Sequence, residues 1–257
     1  MTIAHLGDLH FGRLAEPEVV RALFDDVHSL QPDLVAISGD LTQRARVREF
    51  RRARSYLGAF GQPCLVVPGN HDVAAWWRPF GRLFRPLARY RKFITDDLAP
   101  TFVKDGVRVL GVSSAYGLTI QGGRVEAPER IREWFAGNTE EFQILVVHHP
   151  LTQFEGVRRQ DVAQNGQEAL EAGADLVLSG HRHVARVHEV GLPDGRRVVV
   201  SLTGTATSDR WRAPQACENR YQVVRIGREE FTIEERLFDS GTFRPAGRSI
   251  FERTVLA

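Results

Sequence analysis

Five short apolar runs in this chain each stop at a cluster of aspartate, asparagine, histidine and glycine, and that repeated pattern is its tightest constraint. Thr2–Leu6 is followed by Gly7-Asp8-Leu9-His10, Leu34–Ile37 by Gly39-Asp40, and Cys64–Val67 by Gly69-Asn70-His71-Asp72. Ile144–Val147 runs into His148-His149-Pro150, and Leu176–Leu178 into Gly180-His181-Arg182-His183. Val107–Val112 and Val198–Leu202 read as two more strands. Helical patterns separate the runs at Glu16–Leu30, Arg46–Phe60, Pro128–Phe135 and near Asp161–Ala172. In the first of these, Pro17 and the acids Glu16 and Glu18 mark the start, while Val20, Leu23, Phe24 and Val27 form a stripe. Alternating strands and helices predict an α/β fold, and Tyr221–Ile226 with Phe231–Leu237 predict an antiparallel pair turning near Gly227. Ligands of open α/β sheets bind beyond the carboxyl ends of the strands. Five polar clusters at such ends would converge on one pocket.

Pooled, the clusters offer two carboxylates (Asp8, Asp40), an amide (Asn70) and the imidazoles of His10, His71, His148, His181 and His183. Oxygen and imidazole donors without thiolate suit Mn, Fe, Zn, Co or Ni. The set is too large for one ion with open positions and about right for two, which could clamp the attacking and leaving oxygens of a phosphoryl displacement. Taken singly, each motif has an ordinary reading: Asp8-x-His10 and Gly39-Asp40 as turns, His148-His149 as core-edge histidines. His181-x-His183 carries more, because alternate residues of an extended segment point the same way.

In this order, the five motifs resemble those of the calcineurin-like metallophosphoesterase superfamily. Within it, the Gly180-His181-Arg182-His183 and His148-His149-Pro150 runs look most like the bacterial class III cyclic-nucleotide phosphodiesterase and glycerophosphodiesterase branch. The resemblance implies a two-sheet αββα sandwich and hydrolysis of a phosphodiester through a metal-bridging hydroxide attacking in line. It implies one metal on Asp8, His10, Asp40 and His183, and another on Asp40, Asn70, His148 and His181. His71 would stabilise the phosphoryl charge and protonate the leaving oxygen, Asp72 would orient a neighbour, and His149 would stand behind the ligands. One position departs from the pattern. Many relatives carry an acid three residues after the bridging aspartate, and here that residue is Gln43.

The remaining expectations are broader. The 257 residues read as one domain, with 76–98 as a cap insertion and 198–257 supplying C-terminal strands of the second sheet. No run of about 18 apolar residues is present, and the N-terminus lacks a signal-peptide pattern, so the expected location is the cytoplasm. Cys64 and Cys217 read as reduced thiols. A net charge of +2 does not imply nucleic acid, and the arginines from Arg44 to Arg54 spread round their helix as a solvated face. A small phosphodiester is the expected partner, and a homo-oligomer is compatible with the sequence. Trp76–Phe93 interleaves aromatics with arginines and reads as a cap whose apolar stripe is buried over the metals. Its rival reading is a membrane-facing surface, which would suit a lipid-linked pyrophosphate or phosphodiester substrate. A nuclease is a further alternative. Ser201–Arg212 reads as a loop joining sheets, and lining the pocket is its other reading.

Overall fold

Successive side chains of a strand face opposite ways, and in β1 (Thr2–Leu6) this sets the layering. Ile3 packs between two sheets, whereas Ala4 and Leu6 pack beneath helices. The structure is a computed structural model describing residues 1–119, 122–137, 141–155 and 157–253. In the first sheet β1, β2 (Leu34–Ile37) and β3 (Cys64–Val66) run parallel. The second is built on β5 (Val107–Val112), β6 (Phe142–Val147), β7 (Leu176–Ser179) and β9 (Arg197–Leu202), also parallel. Strands buried on both faces read as continuous apolar runs, which is why each was visible in the sequence.

The two sheets meet through Ile3, Leu34, Val109, Ile144 and Leu178. Outside the first lie α1 (Pro17–Leu30) and α2 (Val47–Ala59), burying Leu23, Val27, Phe50 and Leu57. Outside the second lie α5 (Pro128–Phe135) and α6 (Gly166–Leu170), burying Ile131, Phe135 and Leu170. The order is helix, sheet, sheet, helix, as expected. Among the described residues no helix is long and apolar enough to cross a membrane.

Four expectations change. Residues 198–257 do not all join the second sheet. Only β9 does, while β10 (Arg220–Ile226), β11 (Glu230–Asp239) and β12 (Thr242–Glu252) extend the first. The reason is pairing: β10 lies antiparallel to β1, from Thr2 opposite Arg225 to His5 opposite Gln222, and buries Val224 and Ile226 between the sheets. The helix near Asp161–Ala172 shrinks to α6, preceded by a single 3-10 turn at Arg159–Asp161. Two unforeseen strands, β4 (Thr101–Lys104) and β8 (Arg186–Gly191), close the edges of the second sheet and are mostly solvent-facing. Finally, 76–93 forms two short helices, α3 (Pro79–Phe84) and α4 (Ala88–Phe93), separated at Pro86, whose ring cannot continue a helix. Leu87 and Tyr90 are buried, but the stripe over Trp76, Phe80, Leu83 and Phe84 faces outward, so it is not the buried face expected.

Candidate metal centre

The carboxyl ends of β1, β2, β3, β6 and β7 gather at one rim, and the turns leaving them are unusual. Asp8, His10, Asp40, His181 and His183 have φ of +54°, +47°, +52°, +72° and +56°. This left-handed region is tolerated best by Gly, Asn, Asp and His, and strained residues cluster at functional sites. Cross-links between the turns hold it. His10 N–H donates to Asp40 O at 2.9 Å, His71 N–H to Asp40 Oδ1 at 2.8 Å, and His181 N–H to Asp8 Oδ2 at 2.9 Å. Gly69 is needed for close approach: a Cβ there would lie 2.1 Å from Asp40 Oδ1.

The sequence-predicted ligands come together. The donor atoms of Asp8, His10, Asp40 and His183 all lie within 4.8 Å of one another. His148 Nε2 stands 3.5 Å from Asp40 Oδ1 and 3.0 Å from Asn70 Oδ1, and His181 Nδ1 lies 3.1 Å from that same amide oxygen. Backbone carbonyls occupy the other ring nitrogens. His10 Nδ1–H points to Thr42 O at 3.3 Å, His148 Nδ1–H to Ser38 O at 2.7 Å, and His183 Nδ1–H to Arg210 O. With those protons committed, the Nε2 lone pairs of His10 and His183 face each other at 3.1 Å. Asp8 Oδ1, 3.2 Å from His183 Nε2, is buried and accepts no hydrogen bond among the described residues. Lone pair against lone pair in a dry pocket is repulsive unless a cation lies between, so the donor set fits metal ions.

The electrostatics agree. Burial, then the neighbouring His183 and His71, hold His10 well below the ordinary histidine range, which keeps its lone pair available. Burial also pulls His148 down, but Asp40 and Asp8 outweigh it and leave its pKa raised. For Asp8, burial acts upward, yet His183, His148 and His181 bring its pKa down to about 2. The pocket draws positive charge.

His71 is placed beside these donors. Its Nδ1–H donates to the backbone carbonyl of Gln43 at 2.7 Å, so the missing acid is replaced by a peptide oxygen. Its Nε2 accepts from Arg210 Nη1 at 2.7 Å. Burial lowers its pKa, with Asp40 opposing and Arg210 reinforcing. Asp72 orients main chain. Its oxygens accept from the N–H groups of Leu41 (3.1 Å), Thr42 (2.9 Å) and Gly69 (3.0 Å) and from the Thr42 hydroxyl (2.9 Å). Burial and then Asp40 push its carboxyl up to about 7. His149 donates its N–H to Ser114 Oγ at 3.1 Å, and its ring lies 4.6 Å from that of His181.

Three contributors escaped the sequence reading as site groups. Asp161, buried, lies 3.7 Å from His181 Nε2 and 3.1 Å from Arg182 Nη1. The Thr-Gly-Thr-Ala-Thr-Ser run after β9 laces the first turn in place: Thr205 Oγ1–H donates to Asp8 O and Thr207 Oγ1–H to Leu9 O, both at 2.7 Å. Arg210 follows that run, so Ser201–Arg212 both leads from β9 of the second sheet towards β10 of the first, as expected, and contributes to the pocket wall. A buried hydroxyl run after a strand was the available signal. A cavity of about 1230 Å³ also opens between the 76–98 segment and the second sheet, lined by Leu83, Phe84, Leu87, Val112 and Trp134, with none of the metal-ligand candidates in its wall.

Residues 1–185 match the model of the calcineurin-like phosphoesterase family. A probable cyclic nucleotide phosphodiesterase of Synechococcus sp. is 28% identical over 212 residues, covering 75% of this chain and 77% of that protein. A probable glycerophosphodiester phosphodiesterase of Arcobacter nitrofigilis is 27% identical over 227 residues, covering 81% and 79%. Among solved structures, a purple acid phosphatase from yellow lupin superposes with a TM-score of 0.73 at 11% identity, over 98% of this chain and 54% of its own. That likeness speaks for the fold.

Proposed function

The chain belongs to the calcineurin-like phosphoesterase family and is a metal-dependent phosphoester hydrolase; from that premise we propose that it cleaves a small phosphodiester, a cyclic nucleotide or glycerophosphodiester, at a pair of divalent cations. The observation that carries this reading is the set of facing lone pairs, His10 Nε2 against His183 Nε2 at 3.1 Å, backed by protons fixed on carbonyls. Asp8, His10, Asp40 and His183 would hold one cation, and Asp40, Asn70, His148 and His181 the other, with Mn or Fe, Zn, Co or Ni suited to these donors. Such a pair, when bound, lowers the pKa of shared water and neutralises phosphoryl charge.

The chain's own groups do the rest. Arg210 presents a planar, five-donor guanidinium at the site, the geometry that suits phosphate oxygens. As it turns from His71 Nε2 to the substrate, that nitrogen is freed to take up a proton from solvent and give it to the leaving oxygen. Gln43 O holds the ring in place, and Asp72 holds the loops of Asp40 and Gly69. Residues 1–257 act as one catalytic domain, with 76–98 as its cap. The names of the two long relatives support a diester substrate.

A hydrolysis screen with added Mn²⁺ tests the proposal, comparing bis(p-nitrophenyl) phosphate, its monoester, cyclic nucleotides and glycerophosphodiesters. Preference for diesters is expected; a metal-loaded sample that cleaves the monoester alone overturns it. A lipid-linked pyrophosphate is the second reading. It is favoured by 28% identity over 78 residues to the UDP-2,3-diacylglucosamine pyrophosphatase of Chlamydia muridarum, and a nucleoside-diphosphate lipid in the same screen distinguishes it.

A further inference from the structure

Eight large apolar side chains are exposed among the described residues, and six of them, Trp76, Trp77, Phe80, Leu83, Phe84 and Leu118, share one corner of the molecule. Trp76, Phe80 and Phe84 are 70%, 78% and 72% exposed. No residue of α3 is buried; Phe80, Leu83 and Phe84 on it are exposed, as is Trp76 in the turn before it, with Leu83 and Phe84 also edging the cavity against the second sheet. Leu118 joins them because the 117–119 loop packs on α3, where Arg82 donates to Thr119 O.

Charge narrows the occupant. From Val73 to Thr95 the chain carries Arg78, Arg82, Arg85, Arg89, Arg91 and Lys92 and not one acid. Arg82 donates to Ala74 O at 2.9 Å within the segment, while its bond to Thr119 O and that of Arg89 to Ala45 O at 2.7 Å tie the segment to the body of the protein. Arg78, Arg85, Arg91 and Lys92 stay exposed around the apolar residues. A second copy docking through this same face would set like charges against each other. An anionic bilayer would not: tryptophan and phenylalanine favour the headgroup boundary, and arginine meets lipid phosphates.

We propose that the corner formed by 76–85 and Leu118 docks on the surface of an anionic phospholipid bilayer, seating Trp76, Phe80 and Phe84 at the headgroup boundary. The metal site would then work beside a membrane whichever diester it cleaves. Flotation of the full chain with vesicles tests this, using phosphatidylcholine alone and phosphatidylcholine with about 30% phosphatidylglycerol. At physiological salt the protein should float with the anionic vesicles, and added salt should weaken binding. A Trp76→Ser/Phe80→Ser variant should lose about tenfold or more of its partitioning while keeping hydrolysis of soluble bis(p-nitrophenyl) phosphate. An Arg78→Glu/Arg85→Glu variant should lose the preference for anionic lipid. No flotation of the wild type, or equal flotation of the wild type and both variants, overturns the proposal. So does light scattering that finds a wild-type dimer and a monomeric Trp76→Ser/Phe80→Ser variant, since the corner would then be a protein interface.

Discussion

The rim of the two sheets and the 76–93 segment are neighbours in space and opposites in construction. At the rim, polar groups are largely buried and the imidazoles are oriented: His10, His71, His148 and His183 each donate one ring N–H to a carbonyl. In the segment, apolar groups are exposed, and a few arginine-to-carbonyl bonds hold them. The first arrangement holds its donor groups in one geometry, as positioning for reaction requires. The second fixes a surface and leaves its side chains free to meet something soft. Chemistry and docking are thus separable in this molecule, and mutations should separate them.

The largest expected effect lies at Asp40, the carboxylate proposed to hold both cations. Asp40→Ala should reduce both bound metal, read by elemental analysis, and diester hydrolysis to background. His71→Ala comes next: metal content near normal and turnover down roughly 10²–10⁴-fold, the range for loss of a general acid. An emptied site in that variant would show His71 to be a ligand instead. Asp72→Ala strands the N–H groups of Leu41, Thr42 and Gly69. It should cost roughly 2–3 kcal/mol in urea denaturation and weaken metal binding as a consequence. Gln43→Asp should be gentler. A carboxylate beside Arg210 and His71 raises the imidazole pKa, so the alkaline limb of the rate profile should move to higher pH. No movement would leave the Gln43 carbonyl as the sole orienting group.

The last effect concerns stability alone, below the rim, and leaves activity at neutral pH untouched. His5 is buried, bonded to Gln222 Oε1 at 3.1 Å and Ser38 Oγ at 3.0 Å, and burial lowers its pKa from 6.5 to about 4. As pH falls below 6.5 the unfolded chain takes up this proton before the folded one does. Stability is therefore complete above pH 6.5 and drains away towards pH 4, by up to about 3 kcal/mol. Urea midpoints of chelator-treated protein across that window should show the slope, and His5→Asn should flatten it.

Much of this was legible because the signals are local. Interior parallel strands such as Ile144–Val147 are unbroken apolar runs, and the side chains proposed as metal ligands, such as His181-x-His183, sit within a few residues of one another in each motif. What was hidden depends on distance. β4 and β8 are edge strands with little apolar patterning, and β12 interrupts its own with Pro245 and Gly247. Arg210 reaches His71 across 139 residues, and Thr205 reaches Asp8 across 197, with no periodicity to announce either. Of the stripe over 76–84, only Pro79–Phe84 is helical, and the stripe is exposed where burial was expected, because periodicity reports which residues share a face and not what that face meets.

The five left-handed residues have a consequence for how the site should be dissected. At Asp8, His10, Asp40, His181 and His183 an alanine scan confounds two deficits, since the new methyl sits in a conformation that disfavours any Cβ while the donor atom is lost. Glycine, indifferent to the sign of that torsion, removes the donor alone. The gap in melting temperature between paired Asp40→Ala and Asp40→Gly proteins would then measure how much conformational tension the native fold tolerates in order to aim a single carboxylate.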